Sequence, residues 1–332
     1  MGQKRIAYID YTKALGMMLI ILAHTTYLFS EVSSYGIPES CHVPIFFIAV
    51  GLVHAYISPK GSFKDFFWKR FYGLFVPYIV FSVINSILKL GTFFFLHRLT
   101  VPAIKDEMFE FFVNGNGPVW FLGVLFAADF LYVLSIRYCN HWSVVFAILG
   151  GILLYSVGDC NNKWIYPIIR IMGAYSLIVL GSYSKRLFEM NNGWRLSIFL
   201  TSIGLWICLL FWGERSNDYS FRPGYFFNAG YSIPLMLSGS LGIIMLTTFL
   251  KKNIKWLEYI GNNSLCFLVI HPILQMAYSF SIGGWINNLG HSVQFVVFII
   301  MYSLFIAVCV PVNEYLLKEC PWILGKAVAR KC

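Results

Sequence analysis

The chain has 332 residues, of which 58% are hydrophobic, 18% aromatic and only 12% charged, and it carries a formal net charge of +10. A soluble globular protein has about 25% charged residues, so these few cannot cover a soluble surface and the chain must meet lipid as a second solvent. The positive balance is read as topology-holding loop charge rather than as a nucleic-acid surface.

A spanning helix needs about 20 mostly apolar residues. Ten segments qualify: 8–30, 41–57, 72–96, 118–136, 142–157, 164–183, 196–213, 228–250, 261–280 and 293–317. The expected fold is therefore an all-α polytopic membrane protein of about ten transmembrane helices, a single domain over 1–332 in the cytoplasmic membrane. With the N-terminus inside, the cytoplasmic loops and tails hold Lys4, Arg5, Lys60, Lys64, Lys69, Arg70, Arg137, Lys185, Arg186, Arg195, Lys251, Lys252, Lys255, Lys318, Lys326, Arg330 and Lys331. The outer loops hold only Arg98, Lys105, Lys163, Arg215 and Arg222. This bias predicts that both ends lie inside. The longest outer connections are 97–117 and 214–227, and no repeat, linker or low-complexity tract is visible.

The eight cysteines form no CxxC pair, and Cys208, Cys266 and Cys309 read as small core residues, so neither a disulfide framework nor a metal site is expected. The first apolar run lacks a small-residue cleavage pattern, and no cleavable leader is expected.

Ionisable groups at membrane depth are costly and mark functional candidates. The first helix is the richest, with Asp10, Lys13 and His24. Asp10 and Lys13 are neighbours at i, i+3. Lys13 and His24, eleven residues apart, lie about 20° from eclipsed and about 16 Å apart along the axis. One stripe thus carries a charge pair near the cytoplasmic surface and an imidazole deeper. The plainer alternative makes Asp10 and Lys13 interfacial anchors and His24 a hydrogen-bonded core residue.

The pattern Asp10-x-x-Lys13, ten residues, then His24 resembles the opening of the membrane-bound acyltransferase-3 family. Four further segments are similar to family motifs and come in the family's order: His42-Val43-Pro44-Ile45-Phe46-Phe47-Ile48-Ala49-Val50-Gly51, Lys69-Arg70-Phe71-Tyr72-Gly73-Leu74-Phe75-Val76-Pro77-Tyr78, Gly117-Pro118-Val119-Trp120-Phe121-Leu122, and Gly261-Asn262-Asn263-Ser264-Leu265 followed by His271-Pro272. The resemblance runs from about residue 5 to 275 and is closest to the fucose 4-O-acetylase-like subgroup. There are two departures. Gly73 stands where many members carry the second of two arginines three apart, and Lys13 stands where the first-helix basic residue is often Arg.

The resemblance implies O-acyl transfer from an acyl-CoA, acetyl-CoA above all, to a hydroxyl of a cell-surface carbohydrate or its lipid-linked precursor. A sugar hydroxyl needs a base, and an imidazole with an unperturbed pKa of about 6.5 suits that task. His24 takes that role, with an acyl-His intermediate as a variant. Lys13, Arg70 and Lys69 are placed to meet the donor's phosphate or pantetheine groups, and Asp10 orients Lys13. Trp120 stacks on a sugar ring or anchors the interface. Arg170 binds an acidic glycan. His42, at an outer helix end, assists His24 or is merely solvated. Asp129 and Arg170 are expected at opposite depths and not as a mutual pair. His271 is read as structural, Lys89 as snorkelling, and Glu314 as paired with a neighbour. The alternative function is a transporter or flippase for a lipid-linked sugar or small solute. Such a protein often shows paired, broken segments in corresponding halves, and none is evident here.

Overall fold

The computed structural model describes residues 6–33, 36–57, 62–115, 117–139, 142–156, 164–212, 219–220, 225–226, 229–250 and 253–326. The loop cations Lys4, Arg5, Lys60, Lys163, Arg215, Arg222, Lys251, Lys252, Arg330 and Lys331 lie outside these residues. In chain order the helices are α1 (Ala7–Thr26), α2 (His42–Tyr56), α3 (Phe63–Arg70), α4 (Val76–Phe95), α5 (Val101–Phe109), α6 (Trp120–Cys139), α7 (Trp142–Ser156) and α8 (Tyr166–Tyr183). They continue as α9 (Lys185–Phe188), α10 (Asn192–Trp212), α11 (Ala229–Phe249), α12 (Lys255–Asn262), α13 (Ser264–Tyr278), α14 (Gly284–Ile286) and α15 (His291–Glu319). Among the described residues the regular structure is helical apart from one two-residue antiparallel pairing, Tyr219–Ser220 with Tyr225–Phe226.

Each of the ten predicted apolar segments falls on a helix, with shifted ends. The segment expected from 72 begins earlier. A capping box at Ser62, reciprocated by Asp65, starts α3. A π turn, Phe71–Phe75, then carries α3 into α4 without a break. The segment expected over 261–280 is divided at Asn263, where the backbone leaves the helical region and separates α12 from α13. Among the described residues, six helical stretches are long and apolar enough to cross a membrane: Phe63–Phe95, Asn192–Trp212, Gly230–Phe249, Ser264–Ile286, His291–Glu319 and the stretch within Val101–Cys139 that α6 ends. The helices over His42–Tyr56 and Trp142–Ile152 are apolar but shorter.

The bundle is organised around α1, which touches α2, α11, α12, α13 and α15. Tyr11, Phe47 and Phe267 are among its largest fully buried side chains. Its outside is apolar as well: Ile87, Phe95, Phe211, Trp212 and Ile300 all project from the surface. A soluble monomer seldom exposes a continuous apolar patch of this extent, and a lipid-facing surface accounts for it. Lipid gives no hydrophobic drive between helices, so close contact has to come from small residues. Gly51 of α2 and Gly181 of α8 meet at such a crossing, where a Cβ on either would collide with the opposing backbone.

Candidate active site

Three groups of polar side chains lie along this apolar bundle. The first is at the C-terminal end of α1. His24, half-buried in the last turn, faces His271 of α13 with ring centroids 5.3 Å apart and ring planes at 89°. His271 is fully buried, and its Nδ1 lies 2.8 Å from the Phe267 carbonyl. A carbonyl only accepts, so Nδ1 carries the proton and Nε2 presents a lone pair. Nε2 has no hydrogen-bond partner among the described residues. One turn further along, Gln275 Nε2 donates to Thr25 Oγ1 over 3.4 Å and links the same two helices again. The sequence reads His271 as structural, and the fold sets its ring against His24. His42, at the N-terminal end of α2, has Nδ1 2.6 Å from the Pro38 carbonyl.

The second group centres on Trp120. The short 3-10 turn Gly117–Val119 touches both α13 and α4, and so brings the start of α6 towards the His271 helix. Trp120 is buried, and the guanidinium of Arg170, also buried, stands 5.3 Å over its ring. Cation–π contact of this kind orients an arginine without neutralising it. Arg170 thus lies inside the bundle beside Trp120 and not at a wetted outer surface. Nearby, Lys89 Nζ lies 2.6 Å from the buried Glu107, which also accepts from Ser86 Oγ over 3.0 Å. The expected snorkelling of Lys89 is replaced by an ion pair that fastens α5 to α4.

The third group is at the other end of α1. Tyr8 near its start bonds Tyr56 at the end of α2 over 3.2 Å, which places the C-terminal end of α2 at this level. Lys13 Nζ and Asp10 Oδ1 are 3.0 Å apart, as the i, i+3 spacing requires. Helix α12 packs closely on this stretch because Gly261 has no side chain; a Cβ there would collide with the Asp10 backbone. Tyr11 holds α12 from beside it, accepting from the Ile254 amide over 2.9 Å and donating to Glu258 over 3.4 Å. An open recess of about 520 Å³ adjoins α12, lined by Lys255, Glu258, Tyr259, Asn262, Asn263 and Lys326. Burial, with a hydrogen bond to Glu314, pushes the Tyr259 phenol up to about 12, so it stays a neutral donor.

At this same end Asp129 of α6, fully buried, is held between two partners. His54 Nε2 is 2.5 Å from Oδ1, and Arg70 Nε is 2.6 Å from Oδ2. Arg70 is the last residue before the π turn, and such turns recur at functional sites. Its guanidinium lies 5.5 Å over Phe66 and is partly exposed, and Lys69 beside it is exposed. Asp129 and Arg170 do not meet: each has its own partner at its own end of the bundle. His54 belongs to no motif noted in the sequence. The criterion that picks out His24, an ionisable group inside an apolar helix, applies to it equally.

The fold therefore gathers Asp10, Lys13, Arg70 and Lys69 towards one end of the bundle, and His24 with Trp120 and Arg170 towards the other. A half-buried imidazole lies on the same unbroken helix as a lysine at its far end. Neither a curated protein nor a solved structure matches the chain. The acyltransferase domain that defines the acyltransferase-3 family matches residues 6–314, nearly the whole chain and all three polar groups. With its membrane-length apolar helices, the chain is a multi-pass membrane acyltransferase and belongs to the acyltransferase-3 family.

Proposed function

We propose that this protein moves an acetyl group from acetyl-CoA to a hydroxyl of a cell-surface carbohydrate or its lipid-linked precursor, in the manner of the fucose 4-O-acetylase-like subgroup. The observation that carries this reading is α1 itself. It is one continuous helix at the centre of the bundle, with Lys13 and Asp10 at one end and His24 at the other. Lys13, Arg70 and Lys69 receive the donor's phosphate and pantetheine groups, and Asp10 aims Lys13. His24 takes the proton of the acceptor hydroxyl. The oxygen–carbonyl bond forms as the thioester carbon–sulfur bond breaks, and His24 returns the proton to the departing thiolate. Trp120 and Arg170 face the acceptor, the ring offering an apolar plane and the guanidinium a fixed positive charge.

In this reading the chain crosses the cytoplasmic membrane about ten times with both ends inside, so the donor arrives at the Lys13 end. A cysteine placed at Ser62 is then shielded from an impermeant reagent in intact cells, and one at Thr100 is labelled. The reverse pattern inverts the topology. The function is tested with purified protein in detergent, measuring acetyl-CoA binding and CoA release. The expected result is that the wild type binds and slowly turns over acetyl-CoA, while His24→Ala binds it and does not react. If neither protein binds acetyl-CoA, the donor assignment falls. Turnover by His24→Ala at the wild-type rate removes His24 from the chemistry.

A further inference from the structure

We propose that His271 is the positioning residue for His24, accepting through its Nε2 the ring N–H of His24 that does not face the substrate. The inference rests on the assignment of His24 as general base and adds a second histidine to it.

The geometry restricts what His271 can do. Its Nδ1 proton is committed to the Phe267 carbonyl at 2.8 Å, so the neutral ring has only a lone pair left, on Nε2. That nitrogen is buried and has no partner among the described residues. Leaving a buried acceptor unmet carries its full desolvation penalty. A residue needed only for packing would be better served by an apolar side chain of similar volume. The lone pair instead belongs to a donor that comes and goes. The His24 ring is 5.3 Å away, centroid to centroid. Two imidazoles joined by an N–H···N bond of about 3 Å have centroids roughly 5 Å apart, so the separation of the two rings suits such a bond. The Gln275–Thr25 bond keeps the two helices in register for it.

The two rings differ in access, which divides their labour. His24 is half-buried and reachable, and His271 is sealed. Substrate therefore meets His24. When His24 gains the hydroxyl proton it becomes an imidazolium, and the bond to His271 Nε2 becomes charge-assisted and stronger. His271 keeps its own proton throughout. The role is that of the carboxylate in an acyl-transfer triad, which fixes the tautomer of the base and steadies its charged form without taking the proton. Here a neutral acceptor fills it, which avoids burying a further anion in the apolar core.

The test uses full-length protein in detergent and follows CoA release from acetyl-CoA, with water standing in for the acceptor hydroxyl. His271→Leu is expected to lower kcat by about 10²-fold, with KM for acetyl-CoA within about twofold of wild type and an unfolding temperature no lower. His271→Gln, whose amide oxygen can accept, is expected to regain about tenfold of that loss. Introduced beside His24→Ala, His271→Leu is expected to change nothing further, because the bond it removes is already gone. Equal losses in the Leu and Gln variants overturn the proposal, and so does a further loss in the double variant. A rise in KM matching the fall in kcat points to distortion of the bundle and also overturns it. If His24→Ala alone keeps the wild-type rate, the base assignment fails first and takes this pairing with it. Should His271→Leu not fold, His271→Asn, too short to reach His24, replaces it in the comparison with Gln.

Discussion

Arg70 Nε lies 2.6 Å from Oδ2 of Asp129, a carboxylate that is fully buried and shared with His54. This ion pair lies on the Nε side of the guanidinium, away from its terminal nitrogens. Asp129 thus aims Arg70 while His54 fixes the other carboxylate oxygen. Because the guanidinium is planar and rigid, an anchor beside Nε limits where its terminal nitrogens can lie.

Replacing Asp129 with Asn keeps the shape and removes the charge. Breaking a buried pair from one side costs about 3–5 kcal/mol, so the apparent unfolding temperature in detergent is expected to fall. If Arg70 meets the donor, KM for acetyl-CoA is also expected to rise about tenfold while kcat at saturating donor changes little. Initial rates over a range of acetyl-CoA concentrations, beside a thermal unfolding curve, separate the two effects. A fall in unfolding temperature with KM unchanged makes the cluster a structural clasp only.

Gly73 stands where many family members carry a second arginine. A Cβ added at Gly73 meets nothing within contact distance, so the side chain of Gly73→Arg can leave the backbone there without a clash at its first atom. Removing a glycine from a helical stretch is also favourable by about 0.8–1 kcal/mol. The variant is expected to fold at least as well as wild type and to bind acetyl-CoA several-fold more tightly, the gain shrinking as salt is raised. Binding measured at low and high salt checks this. An unchanged affinity places the donor's charged groups away from the π turn and weakens the assignment of Lys69 and Arg70 together.

The helices were legible because a run of about 20 apolar residues has one economical use in a chain this poor in charge. The stripe of Asp10, Lys13 and His24 was legible because a single helix fixes its own internal geometry. Contacts between helices were not legible. In lipid a helix is apolar all round, so no hydrophobic face announces its neighbour. His54 and Asp129 are 75 residues apart in the chain, and only the packing of α2, α6 and α3 brings them to Arg70. His271, alone on its helix and beside a proline, reads as an ordinary core histidine, and only the packing of α13 on α1 sets it against His24. The division at Asn263 falls within the polar run Gly261-Asn262-Asn263-Ser264, itself a turn signal, which a count of apolar residues over 261–280 averages away.

Gly261 shows how a motif residue with no chemistry of its own can govern the site. It lets α12 lie against the backbone of Asp10, where a Cβ would collide with main-chain atoms. Backbone cannot swing aside as a side-chain tip can, so Gly261→Ala has to separate α12 from α1. Overpacking of this kind typically costs 1–3 kcal/mol. The displacement acts on the turn of α1 that carries the Asp10–Lys13 pair, 3.0 Å apart. It also loosens the hydrogen bond that Tyr11 accepts from the Ile254 amide and the one it donates to Glu258. His24 lies at the far end of the same helix. The expected outcome is therefore a lowered unfolding temperature and a KM for acetyl-CoA raised about tenfold, with kcat at saturating donor within a few-fold of wild type. Kinetics and unfolding of Gly261→Ala in detergent measure all three. If kcat falls as far as the donor term, the strain travels the length of α1 and the two ends of the helix do not act separately. If none of the three changes, the α1–α12 contact is looser than its geometry indicates, and Lys13 is not held by it.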